Sequence, residues 1–148
     1  MRLSAKSRYA LAATIHMAQL NNKNDYITLI SISEKLNISK IYLEQVFSLL
    51  KRGGIVTSIK GSQGGYQLSG EPQHITVYDI LSAVETSLFE TTEETIKDTA
   101  PEMEEAMKAS IYDSLDSVIR ETLQKVTLYD LVSESEKYKS EQGLMFFI

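Results

Sequence analysis

The chain has 148 residues, of which 43% are hydrophobic and 24% charged, and it contains no cysteine. That length holds one ordinary domain or a small domain with an appendage, and the missing thiols exclude disulfides, thiolate zinc sites, cysteine-ligated clusters and thiol nucleophiles. The net charge of −5 is uneven: residues 1–70 carry nine Lys/Arg against three Asp/Glu (+6), and residues 71–148 carry six against seventeen (−11), so the front half is suited to a polyanion.

Ser4 is placed to cap a first helix in which Ala10, Thr14, Met17 and Ala18 share a face, with Leu11, Ile15 and Leu20 beside it. Arg2, Lys6 and Arg8 precede this run as they would in a short signal sequence. Thr14, His16 and Gln19 interrupt it, however, and residues 21–25 are polar where a cleavage site needs small residues. No segment reaches the roughly 18 apolar residues of a membrane span, and the expectation is a soluble cytoplasmic protein with no membrane partner.

Thr28 starts a short second helix through Leu36, with Ile32 and Leu36 one turn apart and Asn37 suited to the left-handed position after it. Ser39 then caps a third, Lys40–Arg52, which turns Leu43, Val46, Phe47 and Leu50 inward. Lys40, Ile41, Glu44, Gln45 and Ser48 fall on the other side, and Gly53-Gly54 stops the helix. Two short helices joined by a tight turn, the second polar on its outer face, form a helix-turn-helix pattern. Residues 55–60 read as a β-branched strand, residues 61–65 as a glycine-rich turn and residues 66–69 as the returning strand, together a hairpin wing.

Thr76 and Asp79 predict a capping box for a helix burying Val77, Ile80, Leu81 and Val84. Residues 86–100 hold four carboxylates and five threonines without a period and read as a mobile acidic loop. Pro101 then opens a helix of roughly 25 residues, carrying Met103, Met107, Ile111, Leu115, Val118, Ile119, Leu123 and Val126 at spacings of three and four. A stripe that long exceeds what one small domain can cover, and it predicts pairing with a second copy through Met107, Ile111, Leu115, Val118, Ile119 and Leu123. Residues 127–148 read as a short helix, a polar run and an apolar tail (Leu144, Met145, Phe146, Phe147, Ile148) packed on the body of its own or a partner subunit.

No assembled catalytic site is visible, and the expectation is a protein that is not an enzyme. The glycine-rich turn lacks the G-K-[ST] ending and G-x-G-x-x-G spacing of phosphate loops. His16 and His74 lie 58 positions apart, and neither has a second histidine at helical metal spacing. Lys40, Glu44 and Gln45, in contrast, lie in the first two turns of the third helix. A glutamate there can accept from cytosine N4 and a glutamine can pair with adenine N6 and N7, while Lys60 and the backbone of Gly61 and Gly64 can approach phosphates or a minor groove.

Residues 1–10 (MRLSAKSRYA), 38–47 (ISKIYLEQVF) and 61–66 (GSQGGY) together resemble the bacterial winged-helix transcription regulators of the Rrf-two family. Residues 75–80 (ITVYDI) and 126–132 (VTLYDLV) are similar to the family's segments after the wing and after the long helix, so that the likeness covers nearly residues 1–132. The resemblance implies a mainly α fold with a small β-hairpin: a winged helix-turn-helix DNA-binding domain over residues 1–85, the acidic loop 86–100 and a dimerisation helix 101–126. It further implies a homodimeric repressor on a pseudo-palindromic double-stranded DNA operator.

Motif and resemblance together give Arg2, Ser39, Lys40, Tyr42, Glu44, Gln45, Lys51, Lys60, Gly61 and Gly64 as the DNA-facing set. Two positions depart from the family: Ile41 stands where a hydroxyl residue can contact DNA, and Lys60 replaces a more usual arginine, without its planar fork. The acidic loop holds neither the cysteines that bind an iron–sulfur cluster in some members nor a histidine, and no cofactor is expected. The resemblance is therefore to the cysteine-free branch, controlled by a protein partner, of which cysteine synthase is an example, or by a small-molecule effector. A protein-interaction module with a degenerate DNA face is the alternative, and salt-dependent DNA binding separates the two.

Overall fold

Ser4 heads α1 (Ala5–Leu20), its hydroxyl accepting the Ser7 amide at 3.2 Å, one of the donors that a helix start leaves without a partner. The computed structural model describes residues 2–20, 25–61 and 64–147, with side-chain detail as far as Gly143. The expected face of α1 is buried and wider than the periodicity suggested, since Ser7, Ala13 and His16 join Ala10, Thr14, Met17 and Ala18. Leu20 is exposed, and the polar residues 21–24 that were expected to end the helix lie outside the described residues.

Helix α2 (Leu29–Leu36) is capped by Thr28, whose side chain accepts the Ser31 amide, and closes on Asn37 at φ 54°, ψ 47°. Ser33 Oγ donates to the Ile38 carbonyl at 2.6 Å and fixes the turn into α3 (Lys40–Arg52). The inward residues of α3, Leu43, Val46, Phe47 and Leu50, are fully buried. One expected detail is corrected: Ser39 is the residue before α3, but its hydroxyl makes no cap bond, and the first turn closes on the main chain through Leu43 N–H to the Ser39 carbonyl at 3.0 Å.

The wing is an antiparallel pair, β1 (Val56–Ile59) and β2 (Gly65–Leu68), with Val56 opposite Leu68 and Ile59 opposite Gly65. Ile27 and Tyr66 also exchange two backbone bonds, 2.8 and 2.9 Å long, so the segment before α2 adds an edge that the sequence pattern does not reveal. This approach requires the glycine at 65: its φ is 150°, and a Cβ there would come within 2.9 Å of Tyr26 Cβ. Ser62 and Gln63, in the predicted turn, lie outside the described residues.

Helix α4 (Val77–Val84) has the predicted capping box, Thr76 N–H donating to Asp79 Oδ2 at 2.9 Å and Asp79 N–H to Thr76 Oγ1 at 3.1 Å. The acidic stretch after it is partly built, with a 3₁₀ turn at Thr86–Phe89 whose Phe89 ring lies 4.9 Å from that of Tyr78. Its far end is pinned by the buried Glu104, which accepts the Ile96 amide at 3.0 Å.

Residues 101–124 form one helical run, as expected, but with an insertion: α5 (Pro101–Met107), a π turn (Lys108–Tyr112) and α6 (Asp113–Gln124). Side chains five apart meet across the π turn, Lys108 Nζ with Asp113 Oδ2 at 3.1 Å and the Tyr112 hydroxyl with Met107 Sδ at 3.8 Å, pairings that an α-helix would direct to different faces. Arg120 on α6 sits 5.7 Å above the Tyr78 ring and ties this run to α4.

The expected short helix and tail give way to a correction, since α7 (Leu128–Phe147) is a single helix of 20 residues. The polar run 133–143 holds three Glu and two Lys, which sustain a helix rather than end it. How the side chains of the apolar residues 144–148 pack lies outside what is described. Thr127 and Asp130 repeat the reciprocal bonds of Thr76 and Asp79, and the two caps face each other: Val77 N–H bonds the Val126 carbonyl and Leu128 N–H that of Ile75. Among the described residues no helix is long and apolar enough to cross a membrane.

Candidate nucleic-acid interface

Burial of Leu43, Val46, Phe47 and Leu50 leaves the opposite face of α3 to solvent, and Ile41, Glu44, Gln45 and Ser48 form one exposed stripe along it. Lys40 Nζ lies 3.7 Å from Glu44 Oε1, with both side chains about half exposed. An exposed pair of this kind, with the cation N-terminal to the anion, contributes only a few tenths of a kcal/mol, so the ammonium can be drawn to a stronger anion at little cost.

Lys40 also borders a cleft between the start of α2 and the wing, lined by Thr28, Ile30, Ile59, Lys60 and Gly64 among others. The fold thus brings Lys40 and Lys60, 20 positions apart in sequence, to one concave surface continuous with the outer face of α3. Gly61 is exposed, and Gly64 adopts φ 51°, the left-handed conformation a tight wing turn uses. Neither Ile30 nor Ile59 was singled out by the sequence pattern; they become neighbours only through the hairpin register and the Ile27–Tyr66 bridge.

The remaining members of the predicted set are more dispersed. Tyr42 is half-buried, its ring packed edge-on against Tyr9 at 5.0 Å, which holds the start of α3 against α1. Lys51 is exposed in the last turn of α3, about 16 Å along the helix from Lys40. Arg2 is exposed just ahead of α1, and Ser39 is exposed at the entrance to α3.

The segment carrying Arg2 is anchored by Glu85, whose carboxylate accepts from the Ser4 amide and hydroxyl and from Ser7 Oγ at 2.6 Å. Hydrogen bonds from Ser4, and next from Ser7, hold the Glu85 carboxyl below its usual value. The histidines do not join this surface cluster. His16 is buried in α1, where burial first and the Lys35 charge second push its pKa below the ordinary 6.5; His74 is exposed in the turn Pro72–His74.

The predicted pairing stripe divides. Ile111, Leu115 and Val118 are between 48% and 60% exposed, whereas Met107, Ile119 and Leu123 are half-buried within the single chain.

Residues 3–134 match the family model described as Rrf2, iron-dependent transcriptional regulator. The HTH-type transcriptional regulator CymR of Bacillus subtilis is 34% identical over 148 residues, all of both chains. Its solved structure superposes with a TM-score of 0.71 over 90% of this chain and 98% of that one. The IscR structure from T. potens gives 0.72 at 30% identity, over 99% and 96%. IscR of Klebsiella pneumoniae is 43% identical over 88 residues, 60% of this chain and 53% of that protein.

Iron enters the family's description, yet the donors here do not fit it. The chain has no cysteine, the loop 86–100 has no histidine, and the buried Glu104 beside that loop holds a backbone amide. Among the described residues no three His, Asp or Glu converge as metal ligands. With a winged helix-turn-helix, a matching model over nearly its whole length and relatives that are regulators rather than enzymes, the chain belongs to the Rrf2 family of transcriptional regulators.

Proposed function

We propose that the chain acts in the cytoplasm as a homodimeric repressor, with α3 in the major groove of each half-site of a pseudo-palindromic operator and the wing on the adjacent minor groove. Regulators of this family bind DNA and are dimeric. The observation that carries the reading for this chain is the convergence of Lys40 and Lys60 on one cleft beside the exposed Glu44 and Gln45. Phosphates flanking the groove attract the two cations, while the carboxylate and amide are left for base edges. Arg2, Ser39, Tyr42, Lys51, Gly61 and Gly64 form the periphery, contributing charge, main-chain approach or support to the start of α3.

Dimerisation uses the side of the long helix that carries Ile111, Leu115 and Val118, with Met107, Ile119 and Leu123 at its margin. Control enters through the acidic half, by a protein partner (one resembling cysteine synthase fits the family) or a small metabolite. Glu85 supports this route, since it immediately precedes the acidic loop and also holds Ser4 and Ser7 at the head of the DNA-facing unit. An effector has only to bind two arrangements of that contact unequally to change operator affinity, typically by about 1 to 3 kcal/mol.

Selection of operator fragments from random duplexes, followed by binding at several salt concentrations, tests the DNA reading. Gln45→Ala is expected to cost about 1 to 3 kcal/mol and to relax specificity at one position, whereas Lys60→Ala weakens all sequences and flattens the salt slope by about one charge. Unchanged sequence preference in Gln45→Ala refutes the base-reading role. For control, residues 87–99 are replaced by a Gly/Ser linker; a variant that stays dimeric with a full response to cell extract places the sensor elsewhere.

A further inference from the structure

Among the described residues the most exposed large apolar side chain is on α3: Ile41 is 71% accessible, ahead of Tyr138 at 61% and Val118 at 60%. The apolar residues open on the long helix form a stripe that a second subunit can cover. Ile41 has a different setting. Its neighbours three, four and seven positions on are Glu44, Gln45 and Ser48, so it is the one exposed apolar group on that face, beside the ion-paired Lys40 and Glu44 and two turns before the half-buried Leu49. One isoleucine bordered by a carboxylate and an amide offers too little apolar area for a protein partner, but it matches a base-pair edge that mixes hydrogen-bonding groups with one apolar group. In the major groove that edge belongs to thymine, through its C5-methyl.

We propose that Ile41 is a specificity-determining residue that packs against a thymine 5-methyl group in each half-site, an inference that rests on the DNA-facing reading of α3. Its position supports the contact, because it lies in the first turn of α3, the part of a recognition helix that approaches base edges. Its branching favours the contact as well: a β-branched side chain in a helix keeps essentially one χ1 rotamer, and little freedom is lost on binding. Glu44 and Gln45, one turn later, then address the neighbouring pairs, so the three side chains read adjacent positions.

The test is a deoxyuridine scan. An operator selected from random duplexes by the wild-type protein is resynthesised with each thymine replaced in turn by deoxyuridine, which removes the methyl and keeps the pairing. The expected result is one thymine per half-site whose replacement weakens wild-type binding about fourfold, the value of one methyl withdrawn from water. Ile41→Ala and Ile41→Ser are expected to bind the two DNAs nearly equally while keeping the wild-type melting temperature, since Ile41 packs on little else. If wild type binds DNA but no thymine responds, or the same one responds equally in both variants, the Ile41 contact is overturned and the reading of α3 survives. Absence of any sequence-dependent binding overturns the α3 reading, and this inference with it.

Discussion

Among the described residues, every buried hydrophobic side chain lies between Ala10 and Val84 except Leu128. The helices and wing of the first 85 residues converge on a core that Leu128 of α7 joins, with the Phe47 ring 4.8 Å from that of Tyr66 of the wing and tilted 58° to it. The run 101–124 behaves in the opposite way, leaving Met103, Ile111, Leu115 and Val118 about half exposed or more. One region satisfies its apolar residues within the chain, and the other presents them. A small domain can close on itself at the length of the first region, but a helical run about 36 Å long cannot be covered on every side by its own subunit alone. The difference separates a core that closes within the chain, with Leu128 of α7 among its members, from a helix face that on the reading above requires a second copy.

The most severe way to break this contrast is to charge the exposed stripe. Leu115→Glu or Val118→Glu is expected to give a folded monomer, because neither side chain is part of the single-chain core, and to lower operator affinity roughly 100-fold or more through loss of paired half-site binding. Sedimentation equilibrium and DNA binding provide the check. A wild-type protein that is already monomeric at micromolar concentration removes the basis of the comparison. If the dimer is as proposed, its two recognition helices lie about 34 Å apart, one turn of DNA.

The core gives the reverse outcome. Phe47→Ala is expected to cost about 3 to 5 kcal/mol of folding stability by emptying a fully buried aromatic site, while Leu115→Ala in a monomeric background costs little. Denaturant melts of both variants check the contrast, and equal losses refute the division into a closed and an open region.

The closed region was also the more legible in sequence. Thr28, Asn37, Thr76 and Asp79 act locally, within one turn of the chain, and each fills the position its residue type predicts. The inward face of α3 follows directly from its period. Features set by non-local contacts were not legible: the Ile27–Tyr66 bridge, the approach of Lys40 to Lys60, and the anchoring of Ser4 by Glu85, 81 positions away. The π turn was missed because Lys108–Asp113 and Met107–Tyr112 are five apart, a spacing that conveys nothing in an α-helical template. The paired caps did leave a signal, the hexapeptides ITVYDI at 75–80 and VTLYDL at 126–131, which share Thr, Tyr and Asp and are aliphatic elsewhere, but only the fold places the two face to face.

That pair of caps joins α4 of the closed region to α7, which follows the open run, and it offers a finer test. Thr127→Ala removes the acceptor for the Asp130 amide at the head of α7 and is expected to cost about 1 kcal/mol, as other cap losses do. Hydrogen exchange is expected to accelerate in α7 while α3 and the wing keep their protection. Uniform loss of protection in both regions means that the joint belongs to the winged unit's own cooperative core and that the boundary lies further along the chain.

The smallest effect expected is a pH dependence confined to the winged unit. His16 is buried in α1, and burial, followed by the charge of Lys35, lowers its pKa from 6.5. Below pH 6.5 the unfolded chain therefore takes up a proton that the folded state resists, so the stability present above that pH declines as pH falls through the depressed folded value. His16→Gln removes the titrating group and is expected to flatten this part of the curve, and Lys35→Gln to flatten it partially by removing the second cause. Glu85 is also held low, but from 4.5, and its contribution is lost only in a more acidic window. Melting temperatures between pH 7.5 and about 5, an interval chosen to span the histidine window and stop short of the carboxylate one, separate the two. A wild-type slope that persists unchanged in His16→Gln excludes the histidine as its source. A slope accompanied by faster exchange in α6 and α7 before α1 and α2 assigns the acid sensitivity to the open region instead.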